Sequence, residues 1–378
     1  MEYQMIATST FGLEAIVKRE VEAIGAKIEK VDNGRIDFSG GIDLIPKANL
    51  WLRVADRVLL KMGEFRAESF ASLFDKTYDI PWEHWITEDA NFIVQGKSVK
   101  STLYSVRDCQ SIVEKAIVKR LQTKYDQDWF KKTGPRYKVQ VAILKDIVTI
   151  TLDTSGEGLH KRGYREKAVA APIKETLAAA LINLSFWKKD KMLIDPFCGS
   201  GTILIEAAMI GKNIAPGLYR NFDSEKWPII PQKFWKEAKV DALKQIDQDL
   251  ELNLRGYDID GKAIEIAKLN AENAGVDDCI SFEERAFDYF DKLEDYGVIV
   301  TNPPYGERLS EVQAVGKLYK KMGQVFQTMP TWSKYVITSY EAFEKASGMK
   351  ASKKRKLFNG RLKVDYYQYF GEKPPRKK

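Results

Sequence analysis

The chain has 378 residues, of which 44% are hydrophobic and 30% charged, and its formal net charge is +7. That length is ample for two or more packed domains. The N-terminus has no basic stretch followed by an apolar one, and no apolar run reaches the roughly 18 residues of a membrane helix. The sequence therefore argues against secretion and membrane insertion, and we expect a cytoplasmic protein.

Composition also argues against a metal centre. Cys109, Cys198 and Cys279 are widely separated, as is usual in a reducing compartment. His84 and His160 are the only histidines of the sequence, and no cysteines are paired, so a zinc-binding pattern is lacking. We expect a mechanism without a metal ion.

The sequence pattern of residues 1–155 predicts an α+β domain, and it contains no cofactor motif. Alternating apolar residues predict strands at 92–94, 137–143 and 147–152. Apolar residues at helical spacing predict a helix over 109–121. Gly156-Glu157-Gly158 marks the crossing into a second domain, which we place at 160–378.

Positive charge in the first domain is concentrated in residues 97–138, which contain 11 Lys and Arg against 4 Asp and Glu. Candidate contacts to a polyanion are Lys131, Lys132 and Arg136. The same block includes aromatic residues able to stack on unpaired bases, namely Tyr104, Tyr125, Trp129 and Tyr137. A charged block can equally be an ordinary solvated surface. Residues 350–378 form a second block, with 11 Lys and Arg against 2 acids, and two such blocks favour a polyanionic partner.

The second domain opens with a buried-strand pattern at 192–194, followed by Asp195-Pro196-Phe197-Cys198-Gly199-Ser200-Gly201-Thr202 and an apolar helix at 203–210. Glycines between a strand and a helix let backbone amides approach a ligand. The pattern is not Gly-x-Gly-x-x-Gly and no Lys follows the second glycine, which disfavours phosphate binding. An acid at the strand end suits an ammonium group or hydroxyls. An ordinary tight turn is the alternative.

A second acidic turn follows a proline-containing insertion at about 211–250, which has a polar helix predicted near 233–249. Gly256-Tyr257-Asp258-Ile259-Asp260 precedes a helix predicted over 263–273, with Gly275 at its C-terminal end. A carboxylate at the end of the second strand of such a unit commonly binds ribose hydroxyls. We assign that role to Asp258 and the helix cap to Asp260. Two solvated turn aspartates are the alternative.

A third motif follows the buried strand predicted at 298–300. Asn302-Pro303-Pro304-Tyr305 cannot continue the strand, so the chain leaves the sheet at Asn302 with a stiff backbone. An amide oxygen and a backbone carbonyl can accept both hydrogens of an –NH2 group, and a tyrosine can stack on a flat base. The motif predicts a site for a planar amine, although Asn-Pro also occurs in simple turns.

The chain ends with a predicted β-hairpin. Asn359-Gly360 separates strand patterns at 355–358 and 362–367, a strong hairpin signal. The last residues, 373–378, are mostly basic and predict a mobile tail.

Taken together, Asp-Pro-Phe-Cys-Gly-Ser-Gly-Thr, Gly-Tyr-Asp-Ile-Asp and Asn-Pro-Pro-Tyr-Gly-Glu-Arg resemble the successive motifs of class I S-adenosylmethionine-dependent amino-methyltransferases. Residues 159–165 and 171–175 are similar to the entry segment of THUMP-domain RNA methyltransferases, especially the guanine-N2 methyltransferase of large-subunit ribosomal RNA and its single-activity relatives in Gram-positive bacteria. The match covers nearly the whole chain.

The resemblance implies an α/β fold. The second domain would be a Rossmann-like methyltransferase with a seven-stranded, mainly parallel sheet and an antiparallel terminal hairpin. The first domain would be a ferredoxin-like and THUMP RNA-binding region. The expected cofactor is S-adenosylmethionine, with S-adenosylhomocysteine as its product and no metal. The expected partner is ribosomal RNA, bound by a monomer or weak dimer.

The resemblance also implies residue roles. The cofactor-binding set is Asp195, Phe197, Gly199, Ser200, Gly201, Thr202, Asp258, Ile259, Asp288 and Asn302. The catalytic set is Asn302, Pro303, Pro304 and Tyr305, with Asn302 and Pro303 on the target amine and Tyr305 on the base. Separately from these roles, the predicted RNA-binding set is Lys131, Lys132 and Arg136 of the first basic block, together with Arg162 and Arg165. One position departs from the family, because Ala286 stands where relatives have an Asp for the cofactor's adenine. Asp288 or a backbone carbonyl would then make that contact.

Two other functions are compatible with the same motifs. A DNA adenine-N6 methyltransferase uses the same kind of amine site, but the first domain has no DNA-reading helix-turn-helix pattern. A non-catalytic RNA-binding assembly factor could retain a vestigial cofactor fold, but the motif residues are intact. Direct methyl transfer to guanine N2 therefore remains the main expectation.

Overall fold

The computed structural model describes residues 1–127, 130–165, 172–287, 295–305 and 309–375. The chain folds into two compact units. Unit 1 consists of Met1–Ser9, Val17–Leu159 and Arg220–Asp241, and unit 2 of Thr10–Ile16, His160–Tyr219 and Ala242–Lys378. Each unit is built on one sheet of seven strands.

Unit 1 is an α+β structure, as the sequence predicts. Its strands are β1 (Tyr3–Thr8), β2 (Lys27–Asp32), β3 (Arg35–Gly40), β4 (Arg57–Arg66), β5 (Asn91–Val99), β6 (Arg136–Leu144) and β7 (Ile147–Asp153). Its helices are α1 (Glu14–Ala23), α2 (Leu44–Trp51), α3 (Phe70–Tyr78) and α4 (Val106–Tyr125). The strand order is β2-β3-β1-β4-β7-β6-β5, with β5 and β6 parallel. The strands predicted at 92–94, 137–143 and 147–152 are confirmed and are longer than predicted.

A segment from the predicted insertion belongs to unit 1. Arg220–Asp241 contains Trp227, which is fully buried and stacks on Tyr137 with ring centroids 4.7 Å apart. The indole of Trp227 also donates to the carbonyl of Arg136 over 2.9 Å. Tyr137 is therefore a core residue, and its predicted role in stacking on RNA bases is wrong. The polar helix of this insertion is α7 (Gln232–Lys244).

The other three aromatic residues that were predicted to stack on bases differ in their exposure. Tyr104 is 83% exposed, so its base-stacking role stays a prediction. Tyr125 is half-buried and its hydroxyl donates to the carbonyl of Ile86 over 2.7 Å, which is a structural contact. Trp129 lies outside the described residues.

Unit 2 has the predicted parallel sheet with an antiparallel terminal hairpin. Its strands are β8 (Leu193–Asp195), β9 (Leu254–Asp258), β10 (Ile280–Glu284), β11 (Val298–Thr301), β12 (Ser333–Thr338), β13 (Lys353–Asn359) and β14 (Leu362–Tyr369). Its helices are α5 (Glu175–Asn183), α6 (Thr202–Gly211), α8 (Gly261–Asn273), α9 (Leu309–Gln327) and α10 (Phe343–Ser347). The order is β10-β9-β8-β11-β12-β14-β13, parallel from β10 to β12.

The order of strands in unit 2 predicts where a ligand binds. From β8 the chain proceeds outwards through β9 and β10, then crosses back to β11 on the other side of β8. In open α/β sheets, ligands bind outside the carboxyl ends of the strands where the order reverses. That position is the end of β8 and β11.

The core of unit 2 fixes the strand that carries the third motif. Tyr319, Met322 and Phe326 of α9 are fully buried against Ile299 of β11 and Tyr367 of β14. Burial of such side chains stabilises the fold by roughly 1.5–3 kcal/mol each. The end of β11 is therefore held by a packed helix behind it.

The terminal hairpin differs from the prediction by one residue. Asn359 pairs with Leu362, so the two-residue loop is Gly360-Arg361 and not Asn359-Gly360. Gly360 has φ of +64°, a left-handed conformation that favours glycine at the first loop position. In the described part of the chain, no helix is long and apolar enough to cross a membrane.

Candidate active site

The three sequence motifs meet at one edge of the unit 2 sheet. Strand β8 lies between β9 and β11, and Asp195 at its end is level with Gly256 of β9. The chain therefore leaves the sheet at Asp195, Asp258 and Asn302 on three adjacent parallel strands. Neighbouring strands are about 4.8 Å apart, so the three turns are adjacent at the sheet edge where folds of this kind have their ligand crevice.

Asp195 is a buried carboxyl group at the centre of this edge, with 1% of its surface exposed. Its Oδ1 accepts hydrogen bonds from the hydroxyl of Thr301 over 2.6 Å and from the amide of Phe197 over 3.1 Å. Burial raises the pKa of Asp195 to about 7, the two hydrogen bonds oppose this, and the nearby Asp258 adds to it. A cation next to Asp195 would favour its ionised form.

Asp258 joins the first two motifs. Its Oδ2 accepts the amide of Gly199 over 2.9 Å, and its Oδ1 accepts the amide of Asp260 over 3.0 Å. Each carboxylate oxygen has two lone pairs, so Asp258 retains acceptor capacity for hydroxyl groups. Asp260 caps α8 as predicted, since its side chain accepts the amide of Lys262. Ile259, next to Asp258, is 74% exposed and available to a ligand.

The glycines of the first turn have left-handed backbones. Gly199 has φ of +52° and Gly201 has φ of +80°. A Cβ atom on Gly201 would lie 2.9 Å from the ring of Phe282, so a side chain there would clash with β10. Gly201 is thus required by packing, whatever else it binds.

Other members of the predicted cofactor set face inwards. Ser200 and Thr202 are 4% and 3% exposed, and the carbonyl of Ser200 accepts the side-chain amide of Asn270 over 3.1 Å. Phe197 is half-buried and stacks on Phe287 at 5.1 Å. The buried side chains of Ser200 and Thr202 are therefore not what this turn presents to a ligand.

Asn302-Pro303-Pro304-Tyr305 forms the other side of the crevice. Asn302 and Tyr305 are half-buried, Pro303 is buried and Pro304 is exposed. The hydroxyl of Tyr305 donates to Oδ1 of Asn302. Burial raises the pKa of Tyr305 to about 12, so its phenol stays protonated near neutral pH.

The backbone of this motif is anchored from α9. The hydroxyl of Tyr319 donates to the carbonyl of Pro304 over 2.8 Å and lies 2.9 Å from the hydroxyl of Thr338. Tyr319 and Thr301 both position the motif, and neither was singled out from the sequence. The available signal was a polar residue, Thr301, ending an apolar strand directly before Asn302.

The prediction that Arg162 binds RNA is wrong for this structure. Arg162 is 3% exposed, and its guanidinium contacts the fully buried Glu206 of α6, with Nε 3.2 Å from Oε1. The hydroxyl of Tyr164 lies 3.3 Å from the same oxygen. A buried ion pair of this kind is unavailable to phosphates. A single Glu in the apolar run of α6 was the sequence signal for it.

Arg165 also faces inwards. It contacts Glu175 at 3.4 Å and donates to the carbonyl of Ile173 over 3.0 Å and to the hydroxyl of Thr202 over 2.7 Å. Its side chain is 14% exposed. Arg165 therefore stabilises the first turn through contacts inside the protein. These contacts contradict the prediction that Arg165 binds RNA.

The remaining predicted residues lie elsewhere or outside the description. Lys131, Lys132 and Arg136 are exposed on unit 1, as a contact with a polyanion requires. Ala286 follows the end of β10, whereas Asp288 lies outside the described residues. Among the residues that are described, no group of three His, Cys, Asp or Glu could hold a metal ion.

Three family profiles match the chain. A methyltransferase domain described as RMKL-like matches residues 162–368, a RlmL ferredoxin-like domain matches 4–59, and a THUMP domain matches 67–153. The first profile alone covers more than half of the chain.

Two curated relatives match over nearly the full chain. One is "Putative RNA methyltransferase YpsC" of Bacillus subtilis (strain 168), 52% identical over 379 residues and covering 100% of this chain and 98% of its own. The other is "Ribosomal RNA large subunit methyltransferase K/L" of Syntrophotalea carbinolica, 33% identical over 99% of this chain. The chain spans 55% of that longer protein.

Two crystal structures show the same fold. One is of a protein named as a predicted N6-adenine-specific DNA methylase from Listeria monocytogenes; it is 53% identical, with a TM-score of 0.94 and coverage of 98% and 97%. The other is of "SMU.472, a putative methyltransferase complexed with SAH"; it is 43% identical, with a TM-score of 0.93 and 99% coverage of both chains.

Proposed function

Because the chain belongs to the RMKL-like methyltransferase family, with a ferredoxin-like domain and a THUMP domain ahead of the methyltransferase domain, we propose that it is an S-adenosylmethionine-dependent RNA methyltransferase. Its proposed target is an exocyclic base amine, specifically N2 of guanine in large-subunit ribosomal RNA. The observation that carries this proposal is the meeting of Asp195, Asp258 and Asn302 at the ends of β8, β9 and β11.

The residues at this edge fit S-adenosylmethionine. The buried carboxyl group of Asp195 accepts hydrogen bonds from two neutral donors, and an α-ammonium group would add a charged one. Asp258 has acceptor capacity for two ribose hydroxyls. The related structure with S-adenosylhomocysteine supports the same cofactor class. When bound, S-adenosylmethionine supplies an electrophilic methyl group on its sulfonium.

The protein's own task is to orient the amine. The side-chain oxygen of Asn302 and the carbonyl of Pro303 accept the two amine hydrogens and turn the nitrogen lone pair out of conjugation with the base. In the structure the Tyr305 hydroxyl donates to Asn302 Oδ1, so the amine must share or replace that bond. Replacement would free Tyr305 to stack on the base.

Proton removal does not require Tyr305. Its pKa is raised to about 12, so the phenol is not a base near neutral pH. After transfer the nitrogen carries an acidic excess proton, which leaves to water. The target base must be unpaired or flipped to reach the crevice.

RNA as substrate rests on unit 1 and on the relatives. The THUMP match covers 67–153, the exposed Lys131 and Lys132 lie in that range, and both curated relatives are named as RNA or ribosomal RNA methyltransferases. The name of the longer relative supports large-subunit ribosomal RNA as the target, whereas guanine N2 rests on the resemblance of the sequence motifs alone. Transfer to adenine N6 of DNA is the second candidate, favoured by the name given to the Listeria protein and by an amine site that accepts any aromatic –NH2.

A single comparison separates these functions. Nucleosides from ribosomal RNA and from genomic DNA are measured by mass spectrometry in a wild-type strain, a deletion strain and deletion strains complemented with the intact gene or with Asn302→Ala. We expect N2-methylguanosine in large-subunit RNA to fall by one site in the deletion strain and to return only with the intact gene. Loss of N6-methyladenine from DNA would instead support the second candidate. Unchanged RNA and DNA would contradict both.

A further inference from the structure

The terminal hairpin extends beyond the sheet edge that carries the active site. Thr338, the last residue of β12, pairs with Asp365 of β14. Strand β14 begins three residues earlier, at Leu362, and pairs there with Asn359 of β13. At about 3.4 Å per residue, the end of the hairpin projects roughly 10 Å past the end of β12. We call residues 356–363 the hairpin tip.

The hairpin tip is close to the amine-binding motif. The Tyr319 hydroxyl bridges the Pro304 carbonyl at 2.8 Å and the Thr338 hydroxyl at 2.9 Å, so Thr338 adjoins the motif. From β11 the sheet continues through β12 and β14 to β13. Three steps of about 4.8 Å place β13 roughly 15 Å from β11. That corresponds to about four nucleotides of a stacked strand at about 3.4 Å each.

The surface of the hairpin tip is basic. Lys356, Arg361 and Lys363 are all exposed. Residues 350–365 include seven Lys and Arg and a single acid, Asp365. Asp365 is paired with Lys354 at 3.0 Å. Another acid, Glu341, is 3.8 Å from Lys363 and strongly exposed, so solvent screens it. The net field at the tip favours an anion.

An exposed aromatic ring lies beside this basic surface. The segment Thr10–Ile16 belongs to unit 2, and Gly12 approaches β13 so closely that a Cβ atom on it would lie 3.4 Å from the carbonyl of Lys356. Phe11, the preceding residue, is 56% exposed, and Leu362 in the tip is 45% exposed. Basic side chains interleaved with exposed rings are the surface that unpaired nucleic acid prefers.

We propose that the hairpin tip and Phe11 bind the single-stranded RNA that flanks the target nucleotide. Lys356, Arg361 and Lys363 contact its phosphates, and Phe11 stacks on one of its bases. This inference rests on the proposed function, because it assumes an RNA substrate at Asn302. The competing explanation is that the lysines of β13 protect an edge strand from pairing with another sheet.

The experiment compares two triple variants of the full-length protein. The test variant is K356Q/R361Q/K363Q. The matched control is K188Q/K189Q/K191Q, which removes three positive charges just before β8, at the amino end of this central strand and away from its carboxyl end. RNA binding is measured by fluorescence anisotropy over a salt series, with an unmodified in vitro transcript of bacterial large-subunit ribosomal RNA and with a single-stranded 20-mer. Phe11→Ala is measured in parallel.

We expect the test variant to reduce the log–log salt slope by about 2, since each phosphate contact with a single strand contributes about 0.7. The control should keep the wild-type slope. Phe11→Ala should bind about five- to a hundredfold more weakly with little change in slope, because stacking is not ionic. S-adenosylmethionine affinity should be unchanged in all three variants.

Two results would overturn the inference: equal slopes for the test and control variants, or self-association of the test variant on size exclusion with wild-type RNA affinity. Self-association of this kind would show that the lysines of β13 prevent the edge strand from pairing with another sheet. Methyl transfer to the transcript is a separate readout. If wild-type protein transfers no methyl group to RNA, the proposed function fails, whatever the binding data show about the hairpin tip.

Discussion

The hydroxyl of Thr301 donates a 2.6 Å hydrogen bond to Oδ1 of Asp195, and both side chains are buried. Thr301 is the last residue of β11 and directly precedes Asn302, whereas Asp195 ends β8. The bond therefore couples the turn proposed to hold the cofactor's methionine to the motif proposed to hold the acceptor amine.

Thr301→Val removes this bond with little change of shape. The carboxylate loses a donor, so its pKa should rise above about 7 and the ionised form should become scarcer. We expect S-adenosylmethionine to bind about 1.5–3 kcal/mol more weakly at pH 7.5, the range for a hydrogen bond to a charged group. Calorimetry measures the change, and Thr301→Ser, which keeps the donor, is the control. If the Val variant binds S-adenosylmethionine with wild-type affinity, Asp195 does not contribute to cofactor binding.

Cofactor affinity should depend on pH through Asp195. Its pKa is about 7 in the ligand-free protein because it is buried. A cationic ammonium group binds the ionised form, so binding below pH 7 must first remove a proton. Affinity should therefore rise up to tenfold per pH unit from pH 5.5 towards 7 and level off above that. Asp195→Asn should lack this dependence, and calorimetric titrations of both proteins across this range test it.

The same carboxyl group links pH to the stability of the ligand-free fold. Its pKa is raised from 3.8 to about 7, so between these values the native state holds a proton that the unfolded state has released. Its contribution to stability should thus decrease as pH rises from about 4 to 7. The difference between wild type and Asp195→Asn in urea unfolding isolates this contribution, and parallel pH profiles would contradict it.

Much of this site could be predicted from the sequence because its chemistry is local. The turns after 194, 258 and 301 can be recognised from their glycine, proline and acidic residues. In the structure all three turns lie at one edge of the sheet. The contacts that stabilise them are between distant residues. Thr301 reaches Asp195 across 106 positions, and no periodicity records such a pairing.

The errors have the same physical origin. Arg162 was predicted to bind RNA, but its partner Glu206 is 44 residues away on the inner face of α6. Tyr137 was grouped with exposed aromatic residues because its partner Trp227 lies in the predicted insertion, 90 residues further on. In both cases burial depends on a residue that only the folded chain identifies.

Asn302 and Asp258 should separate catalysis from cofactor binding. Asn302→Ala should abolish methyl transfer yet leave S-adenosylmethionine affinity within a few-fold, because Asn302 holds the acceptor amine. Asp258→Ala should weaken the cofactor by roughly 1.5–3 kcal/mol, since it also leaves the Gly199 and Asp260 amides without their acceptor. Calorimetry and a radiolabelled transfer assay on both variants provide the test. Joint loss of binding and activity in Asn302→Ala would refute the division of roles.

The buried pair of Arg162 and Glu206 predicts a large loss of stability. Glu206→Ala removes the carboxylate that faces the buried Arg162 charge and also the acceptor near the Tyr164 hydroxyl, so we expect a loss of about 3–5 kcal/mol in the free energy of unfolding, measured in urea. The double variant R162M/E206L replaces both charges with apolar groups and should recover most of it. The double variant should also bind RNA like wild type. Weaker RNA binding with a shallower salt slope would restore Arg162 as a phosphate contact.

The last prediction concerns Lys131, Lys132 and Arg136, which are exposed on unit 1. If they contact RNA phosphates, K131Q/K132Q/R136Q should weaken binding to all RNA sequences alike, because phosphates carry no sequence information. Each lost contact should reduce the log–log salt slope by about 0.7–0.9. A triple variant of three exposed lysines outside the block, K27Q/K30Q/K236Q, is the control.

The outcome distinguishes two ways of binding RNA. If this variant and the hairpin-tip variant each flatten the slope, RNA contacts both the THUMP-matched region and the methyltransferase domain, and their combination should flatten it by the sum of the two, since separate phosphate contacts add. If K131Q/K132Q/R136Q keeps wild-type affinity at both low and high salt, its charges form only a solvated surface. The C-terminal basic block would then be the main electrostatic contact, and selection of the target nucleotide would depend on Asn302, Tyr305 and the hairpin tip.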